Sequence, residues 1–179
     1  MPPLINRDNT CCFSGHRPNK LPWRDDLTDP RCLALREKIG DVCRVLADSG
    51  IRHFICGMAL GCDMLFAEEV IRLREERENI TLEAAIPCEE QAAKWSPALK
   101  KRYDRLVTEC DKVTLISPRY TPDCMMRRNR YMVDHASLLL AVYNGAPGGT
   151  RNTLLYAREQ GVRTVLLPII EDDQERERL

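Results

Sequence analysis

The chain lacks any apolar run approaching the ~20 residues that a helix needs to cross a bilayer, which excludes a helical membrane span. It lacks a Cys-x-x-Cys pair, and its three histidines, His16, His53 and His135, are scattered. The ligand spacings of a structural zinc site are therefore missing, and no metal is expected. It lacks net charge, with 27 basic against 27 acidic side chains, so bulk electrostatics supply no pull toward nucleic acid. Aromatic residues make up only 6% of the chain, few for the stacking platforms of a single-strand binder. No secretory leader is expected either.

Cysteine, by contrast, is plentiful: nine residues, Cys11, Cys12, Cys32, Cys43, Cys56, Cys62, Cys88, Cys110 and Cys124. The odd number and their position inside apolar runs do not read as a disulfide framework. They are expected to be small core residues in a reducing, cytoplasmic setting. The 179 residues, 44% hydrophobic and 30% charged, suit one soluble globular domain. We place that domain at residues 1–170. The charged tail 171–179 shows no apolar periodicity.

Along the chain, short apolar runs alternate with helical patterns. Met1 to Asp8 reads as a poorly ordered start. Thr10 to Phe13 is the first strand, followed by a loop of about a dozen residues punctuated by Pro18, Pro22 and Pro30. Trp23 in this loop reads as a staple onto the core or a lid over a pocket. Asp29-Pro30 opens a helix as N-cap and first residue, with Leu35, Ile39, Val42, Cys43 and Leu46 as its buried stripe. Strands are expected at His53–Cys56, Leu82–Pro87, Lys112–Ser117, Leu138–Tyr143 and Val165–Ile169. Helices are expected from about Cys62 to Arg77, from Glu89 to Trp95, from Ser96-Pro97 to Glu109, after Thr121-Pro122, and from Arg151 to Gln160. In the helix after Thr121-Pro122 the stripe is Met125, Asn129, Met132, Val133 and Ala136. Arg127, Arg128 and Arg130 lie on its other side, solvated by default, though one arginine could reach a phosphate.

Near-continuous apolar strands alternating with helices predict an α/β fold, a three-layer sandwich around a mainly parallel sheet of about six strands. In such sheets ligands sit beyond the carboxyl ends of the strands. The residues just after each strand are then the candidates: Gly15, His16 and Arg17; Gly57, Gly61 and Asp63; Glu89 and Glu90; and Gly148, Gly149 and Thr150. The last three open a helix, where glycine and unpaired N–H groups form an anion site as readily as an ordinary βα turn. Arg17 suits phosphate through its planar fork. Asp63 could accept from a ribose hydroxyl or simply favour the helix start. Asn129 interrupts an apolar stripe, so its amide must bond a neighbouring loop or face the ligand cleft. No nucleophile–base pair is evident, and Ser14 and His16 do not make a triad.

Four segments, Cys12-Phe13-Ser14-Gly15-His16-Arg17-Pro18, Gly57-x-x-x-Gly61-x-Asp63, Arg128-Asn129-Arg130-Tyr131-Met132-Val133-Asp134, and Tyr143-Asn144-Gly145 with Gly148-Gly149-Thr150, together resemble the YpsA-like family of the SLOG superfamily. That superfamily also holds the DNA-processing protein DprA and the LOG cytokinin-activating phosphoribohydrolases. The resemblance spans about Thr10 to Ile170. It implies a Rossmann-like fold and a pocket for a small-molecule nucleotide or nucleotide-derived ligand such as NAD, ADP-ribose or a nucleoside phosphate, and a homodimer. The LOG enzymes carry P-G-G-x-G-T-x-x-E. Here Pro147-Gly148-Gly149 is present, but with Thr153 on the motif threonine, Tyr156 stands in the place of the glutamate. Binding or sensing is thus favoured over an alternative, nucleotide hydrolysis with Asp63, His16 or Glu89 activating water. A further alternative, DprA-like single-strand binding, is disfavoured by the zero net charge and few aromatics.

Overall fold

The computed structural model describes residues 5–169 and Glu171; of the expected tail 171–179, all but Glu171 lie outside the described residues. Residues 5–8 of the expected irregular start are described. There Asn6 and Asn9 exchange backbone-to-side-chain hydrogen bonds at 3.1 Å and cap a 3-10 turn, Arg7–Asn9.

Among the described residues six strands and five α-helices alternate: β1 (Thr10–Gly15), α1 (Pro30–Asp48), β2 (His53–Cys56), α2 (Cys62–Glu76), β3 (Thr81–Cys88), α3 (Pro97–Thr108), β4 (Lys112–Ser117), α4 (Cys124–Asp134), β5 (Leu138–Val142), α5 (Gly149–Glu159) and β6 (Arg163–Leu167). All strands are parallel in the order β4-β3-β2-β1-β5-β6. One face of the sheet packs on α1, α2 and α3 through Phe13, Phe54, Phe66, Ile39 and Leu106. The other packs on α4 and α5 through Ile55, Met132, Val133, Leu139 and Ala157. The central strands β1, β2 and β5 are buried along their length except for Gly15. β4 at the sheet edge leaves Val113 52% exposed, because an edge strand has no neighbour to cover it.

Local chemistry explains the boundaries. Asp29 accepts from the Arg31 amide at 2.8 Å ahead of Pro30 and starts α1. Gly50 takes φ +109° beyond its end, a conformation that glycine adopts without strain. Trp23 is buried with Leu21 in the main core, so it staples the loop after β1. All nine cysteines are free, and only Cys110 is not buried.

Two expected helices differ. Glu89 to Trp95 forms successive turns, with Gln91, Ala93 and Trp95 amides donating three residues back. Pro97 disfavours helical backbone at Ser96, and the segment is too short to propagate a helix ahead of it. α4 begins at Cys124 rather than at Thr121-Pro122, because the Thr121 hydroxyl bonds the Asp123 carboxylate at 2.7 Å instead of capping. Its buried face, Cys124, Arg128 and Met132, with Val133, is turned from the expected stripe.

A second feature within the core is a carboxylate, Glu83 on β3, only 1% exposed. Its Oε1 accepts from the Thr114 hydroxyl and the Tyr131 hydroxyl, both at 2.6 Å. Its Oε2 accepts from His53 Nε2 at 2.8 Å, and Lys112 Nζ lies 3.4 Å away. Burial pushes this carboxyl up. The His53, Thr114 and Tyr131 hydrogen bonds and the Lys112 charge more than offset it, leaving it at about 2 against the ordinary 4.5. The network ties β2, β3, β4 and α4 together.

The folded value lies below the unfolded one, so this carboxylate's contribution is complete above about pH 4.5 and is lost as pH falls toward about 2. Glu83→Gln should lower stability in urea by about 2–3 kcal/mol at pH 7, and by clearly less at pH 3. Equal losses at both pH values would show that the ionised carboxylate is not what matters. Gly15→Ala should cost about 1–3 kcal/mol by overpacking, since a Cβ there would stand 2.5 Å from the Cys62 Cβ; chemical denaturation reads this directly.

Candidate functional site

β1 sends the chain away to β2 on one side, while β5, its other neighbour, sends it to β6 on the opposite side. The two connections diverge, and a crevice opens beyond the carboxyl ends of β1 and β5. A cavity of about 210 Å³ lies there. Its walls come from the end of β1 (Ser14, Gly15, His16, Arg17), the turn after it (Asn19, Lys20), the β2–α2 connection (Ala59, Asp63), α4 (Met125, Arg128, Asn129) and the start of α5 (Gly149, Thr150).

Of the residues singled out in the sequence, Gly15, His16, Arg17, Asp63, Asn129, Gly149 and Thr150 line this cavity. Gly57, Gly61 and Gly148 do not. A Cβ on Gly57 would stand 2.3 Å from the Arg128 guanidinium, and one on Gly61 would stand 2.7 Å from the His16 carbonyl. These two glycines let other parts of the protein approach one another. Gly148 takes φ +143° beside Lys20 and turns the chain into α5. Gly149 differs from them: a Cβ there would meet nothing within 4 Å. The first amides of α5 at Gly149 and Thr150 therefore stand at an open cavity wall with no capping side chain at Gly148. Such amides carry partial positive charge.

Arg128 escaped the sequence reading as an individual residue. It is 5% exposed. Nη1 donates to the Gly57 carbonyl at 2.7 Å and Nε to Asn129 Oδ1 at 2.8 Å, while Nη2 reaches only the Met125 sulfur at 3.9 Å. The same sulfur is 3.9 Å from Arg17 Nη2. Among the described residues neither arginine, nor Lys20, has a carboxylate within ion-pair distance. Burial pushes the Arg128 guanidinium below its ordinary value, and nearby Asp63 opposes that shift. A buried cation without an ion-pair partner is costly. In the sequence it stood among Arg127, Arg128 and Arg130, of which one could reach a phosphate, and it opens the Arg128-to-Asp134 segment of the family resemblance; the four-residue spacing Cys124, Arg128, Met132 is what could have singled it out.

Asp63 is also buried, its Oδ2 accepting from the Ala59 amide at 3.1 Å. Burial raises its carboxyl, with Arg128, the Ala59 amide and Arg17 acting in the opposite sense. His16 Nε2 lies 2.7 Å from Asn144 Oδ1, which also accepts from the Ala146 amide at 3.0 Å. The Asn144 backbone amide also lies 3.3 Å from the same nitrogen, so the ring is held against both the side chain and the main chain of Asn144. Burial lowers this imidazole, the Asn144 bond opposes it, and the Lys20 charge lowers it further. His16 thus serves as a neutral clasp between the β1 and β5 ends, and Lys20, bonded to the Pro147 carbonyl, is a second clasp. Glu89 and Glu90 lie outside the cavity; Glu90 accepts from the Tyr120 amide.

Three cationic side chains and a helix N-terminus thus converge against one buried carboxylate. That balance favours an anionic ligand group. Among the described residues no cluster of three or more His, Cys, Asp or Glu is placed to hold a metal ion, and no helix is long and apolar enough to cross a membrane.

Comparison with known proteins fits this architecture. The chain is 31% identical over 146 residues to an uncharacterised SPbeta prophage-derived protein, YoqJ, of Bacillus subtilis (strain 168), covering 74% of this chain and 85% of that one. DNA processing protein A from Helicobacter pylori, whose structure was described for its single-stranded DNA binding mode, superposes with a TM-score of 0.60 at 15% identity, over 94% of this chain and 70% of that one. DprA from Streptococcus pneumoniae gives a TM-score of 0.60 at 14% identity, over 92% of this chain and about half, 52%, of that protein. At these identities the two structures show a shared fold. The YpsA family model, described as the YspA SLOG family, matches residues 11–164. The chain therefore belongs to the YspA SLOG family.

Proposed function

We infer that the crevice binds a nucleotide or nucleotide-derived ligand through a phosphate group, as a binding or sensing site. The observation that carries this is Arg128, a buried guanidinium with no ion-pair partner among the described residues and an amino group bordering a cavity that also receives the first amides of α5. A phosphate seated there takes the role of the missing counter-charge, with Arg17 and Lys20 on its outer side. One ribose hydroxyl then faces Ala59 and Asp63, where the Asp63 carboxylate can accept its hydrogen. Membership of the SLOG family and the shared fold with DprA support reading the domain as a nucleotide binder.

Asp63 also gives the hydrolytic reading its strongest candidate, because it is the only one of the described Asp and Glu side chains to line the cavity. Release of free base or ribose 5-phosphate from an added nucleotide, lost in Asp63→Asn, is the outcome that supports hydrolysis. Unchanged nucleotide after prolonged incubation supports binding alone.

Thermal shift against NAD, ADP-ribose, AMP and inorganic phosphate tests the site, since a bound ligand raises Tm by mass action. Arg128→Met should abolish the shift by weakening binding about 100-fold, the scale of removing a desolvated charge partner. The ligand-free variant should stay folded but lose about 1–3 kcal/mol, because the hydrogen bonds to Gly57, Ala85 and Asn129 and the attraction to buried Asp63 go with the guanidinium. A variant that loses both the shift and the fold would point to a structural arginine. Gly149→Asp should keep the fold, having free space for its side chain, and lose phosphate binding through repulsion at the α5 N-terminus. A shift preserved in Gly149→Asp places the ligand elsewhere.

A further inference from the structure

A second groove of about 430 Å³ runs between α4 and α5 and shares Met125, Asn129 and Gly149 as walls with the phosphate cavity. We propose that this groove is the subsite for the nucleobase of the same ligand, so that the ligand is a nucleotide whose heteroaromatic ring lies along α5 rather than over the β2–α2 connection. This rests on the phosphate reading above and adds the direction in which the rest of the ligand leaves.

Three features of the groove support the assignment. The first is continuity. Asn129 borders both cavities; its Oδ1 accepts from Arg128 Nε at 2.8 Å, and its amide nitrogen has no hydrogen bond among the described residues. It is a free donor at the junction, placed between the phosphate's arginine and the groove. The second is chemistry. Met126 and Leu155, 49% and 48% exposed, and the Tyr156 ring supply apolar and polarisable walls, while Asn152 and Glu159 stand at the same groove with an amide and a carboxylate. Flat apolar walls with a few polar groups at their edge are what a heteroaromatic ring requires.

The third is that the Tyr156 ring is held in place. Its hydroxyl donates to Asp134 Oδ1 at 2.8 Å, and the Arg130 guanidinium carbon lies 5.2 Å from its ring centre. Two charged groups from α4 thus fix an aromatic side chain on α5 before any ligand arrives. A ring already immobilised loses little entropy when it takes a stacking partner. The β2–α2 side lacks such a surface. Its cavity-facing residues are the small Ala59 and the buried Asp63.

The experiment compares ribose 5-phosphate with AMP, GMP, CMP and UMP by isothermal titration of the full chain. At least one nucleotide should bind about tenfold or more tightly than ribose 5-phosphate, the scale of one base on an aromatic platform. Leu155→Asn, at an exposed position that leaves the core intact, and Tyr156→Ala should each bring that nucleotide close to the ribose 5-phosphate affinity without changing ribose 5-phosphate itself. Tyr156→Phe, which keeps the ring, should retain most of the advantage. If all four nucleotides match ribose 5-phosphate in the parent protein, or keep their advantage in both groove variants, the groove assignment is overturned while the phosphate site stands. If neither ribose 5-phosphate nor any nucleotide binds, the phosphate reading fails and this one with it.

Discussion

The hydrogen bond from Arg128 Nη1 to the Gly57 carbonyl organises the crevice. It carries a charge from α4 to the carboxyl end of β2, and it can form only because Gly57 has no side chain in the way. The same carbonyl accepts from Gln91 at 3.2 Å, so the turn after β3 is drawn in as well. Met58, next in the chain, is fully buried with φ +52°, a conformation that costs a non-glycine residue roughly 1 kcal/mol or more. A strained residue is retained where packing on all sides dictates it. Here that packing presents one carbonyl to two donors and sets the depth at which the guanidinium sits.

Two buried charges lie on the same side of the sheet and show how placement decides role. Glu83 has two hydroxyl donors, an imidazole and a nearby ammonium. A carboxylate so fully satisfied has little left to offer a ligand, and its effect is to lock β2, β3 and β4 to α4. Arg128 has carbonyl and amide acceptors for two of its nitrogens, and a thioether for the third. A charge left partly satisfied beside a cavity keeps affinity for whatever anion enters. α4 carries contacts to both, with Tyr131 reaching Glu83 one turn beyond Arg128, so the frame that stabilises the helix also aims its arginine.

Much of the architecture was legible in the sequence. Apolar runs located all six strands: the central ones because a strand covered on both faces must be largely apolar, and the edge strands β4 and β6 although half or more of their residues are exposed. The rule that ligands lie beyond strand ends then brought Gly15, His16, Arg17, Asp63 and Gly149 to one place without any knowledge of the strand order. Arg128 was set with Arg127 and Arg130 on the solvated side, and not singled out from them, for a physical reason. Amphipathic analysis assigns a charged residue to the outer face of a helix, and it cannot weigh an acceptor such as the Gly57 carbonyl, 71 residues away in the chain. The starting point of α4 slipped for a related reason. Thr121 has the composition of a cap, but a neighbouring carboxylate takes its hydroxyl. The glycines show a third limit. Gly57, Gly61 and Gly149 look alike in sequence, yet the first two are crowded by protein and only the last faces open space.

That difference bears on how function is read from glycine-rich loops. A glycine is required wherever a backbone must be approached closely, and the approaching atom can belong to the protein as readily as to a ligand. At Gly15 it is Cys62, at Gly57 it is Arg128, and at Gly61 it is the His16 carbonyl. Each of these contacts is made at the rim of the same crevice. The glycines therefore act on the crevice at one remove: they let β1, β2 and α2 close up so that Arg17, Arg128 and Asp63 reach a common space. Gly149 can serve the opposite end of the same arrangement, because an uncrowded backbone at a helix start leaves its amides to an incoming anion. The site is thus built by dense packing on one wall and by its absence on the other.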